Sequence, residues 1–90
     1  MSIEYLLSGH AKKRFKERLN IKNPRRAQRD MEKAYAQGRL LNRMHTDGTC
    51  YILFNNVIYI FNETITSVCK LVSLITVYKN TDEKLKAFWA

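Results

Sequence analysis

Val68-Cys69-Lys70-Leu71-Val72-Ser73-Leu74-Ile75-Thr76-Val77-Tyr78-Lys79 is the stretch that decides the fold. β-Branched and apolar residues run through it almost unbroken, over a length that suits a strand and falls short of a membrane span. Such near-continuous hydrophobicity belongs to a central strand covered on both faces rather than to an exposed edge. Working back from it, Val57 to Phe61 reads as a second strand. Asn55-Asn56 before it can take the positive φ that a hairpin demands, and Thr49 to Phe54 is the partner strand. Asp47-Gly48 is another tight-turn signal, and Leu40 to Thr46 reads as a fourth strand ahead of it.

Further upstream the apolar period lengthens from two to that of a helix. Ser8 is placed to cap a helix, in which Ala11, Phe15 and Leu19 recur every fourth residue as an apolar stripe. Asn20-Ile21-Lys22 ends that helix. Asn23-Pro24 opens another, with Asn as cap and Pro in the first turn. Ala27, Met31, Ala34 and Tyr35 form its apolar face, and Gly38 is expected to stop it in the left-handed conformation. After residue 79, Thr81 or Asp82 offers a cap, and Leu85, Phe88 and Trp89 fall at helical spacing, as in a short docked helix or an apolar tail. The expected order is α-α-β-β-β-β with a final α, a two-layer α+β domain.

Ninety residues hold one domain, its core read over residues 8–79, and at 46% hydrophobic and 27% charged it has the composition of a globular chain. The first residues lack the basic and apolar regions of a signal peptide, and no stretch is long enough to span a bilayer, so a cytoplasmic protein is expected. Cys50 and Cys69 match no zinc spacing and are expected to be buried free thiols; no metal or cofactor is expected.

Charge is distributed unevenly. The whole chain carries +8, whereas the segment from His10 to Arg43 alone carries +9 and the segment from Met44 onward sums to zero. A clustered basic surface attracts polyanions and gains free energy from released counterions. The expected partner is therefore RNA or an acidic protein surface. The nucleic-acid contacts are assigned to Lys12, Lys13, Lys16, Arg25, Arg26, Arg29, Arg39, Arg43 and Lys79.

Two groups of residues have the chemistry of a site. His10, Arg14 and Arg18 recur every fourth residue, beside the apolar stripe of the first helix and with Glu17 nearby. Imidazole can move a proton near neutral pH, and guanidinium binds phosphate through paired hydrogen bonds. Thr76 and Tyr78 alternate onto one face of the last strand, where a hydroxyl and a phenol can hydrogen-bond phosphate or stack on a base. Such a set suits metal-free RNA cleavage, in which a base takes the 2′-OH proton and cations stabilise the transition state. Tyr51, Tyr59 and Phe61 could form a stacking platform, but plain core is the safer reading.

His10-Ala11-x-x-Arg14-x-x-Glu17-Arg18, a second helix closed by Gly38 and four strands ending in Thr76-x-Tyr78 together resemble the RelE-like small proteins. These belong to the wider barnase–EndoU–colicin–RelE class of RNase folds. The likeness is greatest to an uncharacterised bacterial and phage branch with such an opening helix. The resemblance implies two helices packed on one face of a four-stranded, mainly antiparallel twisted sheet. It implies metal-independent cleavage of RNA, including ribosome-bound mRNA, by a toxin-type endoribonuclease held by an antitoxin. On it, His10 would be the acid–base residue, Arg14 and Arg18 the phosphate clamp, and Thr76 and Tyr78 their strand-borne partners. The alternative is a non-catalytic phage or mobile-element protein whose basic surface inhibits a host nucleic-acid-processing enzyme.

Overall fold

A computed structural model describes residues 2–44 and 46–80. The expected final helix, with Leu85, Phe88 and Trp89, lies outside the described residues. The elements run β1 (Ser2–Leu7), α1 (Gly9–Leu19), α2 (Pro24–Gln37), β2 (Arg39–Met44), β3 (Thr49–Phe54), β4 (Val57–Ile65) and β5 (Cys69–Lys79). The sheet has five strands in the order β1-β5-β4-β3-β2 and is mixed: β1 runs parallel to β5, and the other neighbours are antiparallel. The α+β class is as expected. The four-stranded sheet is corrected to five, because Ser2–Leu7 is a strand that extends the fold ahead of residue 8.

β5 is central, flanked by β1 and β4. Its register on β4 pairs Ile60 with Thr76 and Phe61 with Leu74, so Ile75 is an extra residue that bulges the strand. The bulge resets the alternation. Val72, Leu74 and Val77 join the core under the helices, while Thr76 and Tyr78 share the other face.

Each helix is seated by the apolar stripe expected of it. Ala11 and Phe15 of α1 and Ala27, Met31 and Ala34 of α2 join Cys50, Ile52, Tyr59 and Phe61 of the sheet in one buried cluster. Ser8 Oγ accepts from the Ala11 N–H at the start of α1, and Asn23 Oδ1 accepts from the Arg25 N–H at the start of α2. Asn20, at φ 56°, closes α1, and Asn55 and Asn56 take positive φ in the β3–β4 turn, as expected.

Gly38 does not. Its φ of −73° and ψ of 167° are extended, so left-handed backbone is not why glycine stands there. A β-carbon would instead run into the Ala34 carbonyl and the Ile52 side chain, where α2 meets β3. Tyr59 and Phe61 are core, as the safer reading had it, and burial pushes the Tyr59 phenol up to about 12. Both cysteines are free thiols. Cys50 is buried, and desolvation lifts it to about 11, but Cys69 is only half-buried, beside Thr66 at the start of β5. No helix among the described residues is long and apolar enough to cross a membrane.

Candidate nucleic-acid interface

α1 lies along β5, and this decides where its basic stripe points. β1 pairs with β5 only as far as Leu7 opposite Leu74, after which the chain turns into Ser8 and α1. Among the described residues, the edge of β5 beyond Leu74 is thus left without a strand. Arg18 fills it: Nη1 donates to Thr76 Oγ1 at 2.9 Å and to the Val77 carbonyl at 3.0 Å. The guanidinium carbon lies 4.0 Å from the centre of the Tyr78 ring, a cation–π distance. Three of the five expected catalytic residues, Arg18, Thr76 and Tyr78, therefore meet. Thr76 is 7% exposed, and its hydroxyl already accepts from Arg18.

The other two do not join them. Arg14 Nη1 donates to Glu17 at 2.7 Å, and Lys13 approaches the same carboxylate. His10 is exposed in the first turn of α1. At about 1.5 Å of rise per residue it stands roughly 12 Å along the helix axis from Arg18. Of the five residues, the structure brings together Arg18, Thr76 and Tyr78, while His10 and Arg14 stand apart from them.

The basic residues assigned to nucleic acid divide in the same way. Arg43 is taken up by Glu63, with Nε and Nη2 donating at 2.8 and 3.2 Å. Glu63 also accepts from Lys70 at 2.9 Å and from the Tyr35 hydroxyl. Burial disfavours this carboxylate, but hydrogen bonds from Arg43, Tyr35 and Lys70 outweigh that cost and hold it at about 2. Glu63 therefore stays ionised at neutral pH and ties β2, β4, β5 and α2 together. Arg26 faces Asp30 at 3.8 Å. Lys13 and Lys16 are exposed on α1, Arg39 on β2 and Lys79 on β5.

Lys12, Arg25 and Arg29 come together. With Lys33 they line an open groove of about 610 Å³ between β1 and α2, walled on the sheet side by Tyr5, Leu6 and Leu7. Glu32 is the single acid lining the groove among the described residues, and it accepts a hydrogen bond from Gln28. No ion pair reaches Lys12, Arg25, Arg29 or Lys33 among the described residues. Lys33 was not among the assigned contacts, although Arg25, Arg29 and Lys33 recur every fourth residue and so share one face of α2. Glu63 was missed because its role depends on Arg43 and Lys70, which lie far from it or on another strand.

No family model and no curated protein matches the chain.

Proposed function

We propose that the protein binds RNA, with the phosphate backbone lying in the groove between β1 and α2 and on the outer basic faces of both helices. The observation that carries this reading is the set Lys12, Arg25, Arg29 and Lys33: four cations on one open groove, none spent on an internal ion pair among the described residues. Cations arranged in this way neutralise phosphates and release counterions without first breaking a salt bridge. Tyr5 on the groove wall adds an aromatic ring beside the charges.

Binding of a labelled oligouridine, followed by fluorescence anisotropy across a salt series, tests the reading. Four phosphate contacts predict a log–log salt slope of roughly −3 for a single strand. The double variant Arg25→Glu/Arg29→Glu should bind at least about tenfold more weakly with its thermal midpoint unmoved, because neither side chain is buried. Binding that ignores both salt and this variant would refute the proposal.

A catalytic version, metal-independent cleavage by a toxin-type endoribonuclease, draws support from one observation, the meeting of Arg18, Thr76 and Tyr78. It predicts cleavage of total RNA or ribosome-bound mRNA in EDTA that Tyr78→Phe abolishes. With His10 at the far end of α1, His10→Ala should leave any such cleavage intact.

A further inference from the structure

The two edges of the sheet are built differently. β2 is guarded in the ways natural edge strands are: Arg39 and Arg43 lie on it, and a register shift between Leu40 and Asn42 breaks its regularity. β1 carries only one such device, the exposed Glu4. Ser2–Leu7 contains no Lys, Arg or Pro, its register on β5 is unbroken for all six residues, and Ile3 and Leu6 are 44% and 51% exposed. Its outer edge opens into the basic groove, whose sheet-side wall is Tyr5, Leu6 and Leu7. Residues from both faces of β1 line that groove, so it runs beside the strand's edge rather than above one face.

We propose that this edge is a docking site for an acidic, extended peptide segment of a partner protein, which adds to β1 as a sixth strand. N–H and C=O groups on the outer edge of β1, paired with no strand among the described residues, supply main-chain hydrogen bonds. Side chains of an added strand alternate between faces. Those on the helical side face Arg25, Arg29 and Lys33, which calls for carboxylates; those on the other side meet Leu6 and Glu4, where apolar residues cover Leu6 and carboxylates would be repelled by Glu4. Alternating acidic and apolar residues fit both walls at once. A nucleic-acid backbone could use the cations but has no counterpart for the strand edge or for Leu6. The docked segment covers the cations assigned above to RNA, so peptide and RNA exclude each other. This regulatory consequence rests on the RNA-binding reading; the docking itself does not.

The test uses the full chain and three labelled forms of the peptide Glu-Val-Glu-Val-Glu-Val: unmodified, N-methylated at every Glu, and N-methylated at every Val. All three carry the same charge. In a strand the N–H groups of alternate residues point to opposite edges, so only one methylation pattern blocks pairing with β1. That peptide should bind at least about tenfold more weakly than the unmodified one, as expected for losing several main-chain hydrogen bonds. The other pattern should stay within about threefold, and the unmodified peptide should displace oligouridine. Equal binding of all three peptides would overturn the proposal, since charge alone would then be at work. Oligouridine binding that no peptide competes for would overturn the mutual exclusion of peptide and RNA. If one methylation pattern abolishes peptide binding while oligouridine never binds, the docking stands and the RNA reading falls.

Discussion

Arg18 and Arg43 differ from Arg25 and Arg29 in what has already been done with their charge. Arg18 caps the edge of β5 beyond Leu74 and stacks on Tyr78, and Arg43 neutralises the nearly buried Glu63. Arg25 and Arg29 stand at a groove with no acid bound to them among the described residues. All four contribute equally to a net charge of +8, yet two serve folding and two are offered outward. Charge count therefore overstates the interface, and only the partners of each guanidinium separate the two sets.

The sharpest way to break this division is at Glu63. Glu63→Gln should cost about 3 kcal/mol at neutral pH, judged from a carboxyl held at about 2 against an ordinary 4.5. The sign follows from linkage. The folded value lies below the unfolded one, so the carboxylate's contribution is complete above about 4.5 and fades as pH falls toward 2. Denaturant unfolding of wild type and variant should therefore converge across that window, while oligouridine affinity at neutral pH stays within about twofold. A stability gap that persists undiminished down to pH 2 would show that ionisation of Glu63 is not what stabilises the fold.

Arg18→Ala comes next. It leaves the Thr76 hydroxyl and the Val77 carbonyl without their donor and should cost about 2 kcal/mol. Oligouridine affinity should again change by no more than about twofold. A tenfold loss of affinity without loss of stability would move Arg18 into the offered set and revive the clamp role. The smallest effect belongs to Lys33→Ala, which should weaken oligouridine binding about threefold and make the salt slope shallower by roughly 0.7, with no change in thermal midpoint.

What could be read from the chain tracks how local the cause is. The caps at Ser8 and Asn23, the stripes of Ala11–Phe15 and Ala27–Met31–Ala34 and the Asn55-Asn56 turn are set by neighbours within a turn or two, and all appear where expected. β1 is not legible in the sequence because Ser-Ile-Glu-Tyr-Leu-Leu is short, its alternation ends in two leucines, and its partner β5 lies more than sixty residues away. In the candidate site, Thr76 and Tyr78 were correctly placed on one face, since a strand's alternation is local. That Arg18 but not His10 would reach them depends on where β1 stops, a tertiary fact.

The pairing of Ser2 with Cys69 also sets the order of events in synthesis. Among the described strands, β1 leaves the ribosome before the others and is the partner of β5, the one made after them. Until β5 emerges, α1 has no β5 to lie along, and Phe15 lacks Val72, Leu74 and Val77. Long-range parallel pairing of this kind is slow to form and leaves apolar surface exposed while it waits. A nascent chain stalled before Cys69 should therefore be the form most prone to aggregation and most readily bound by chaperones.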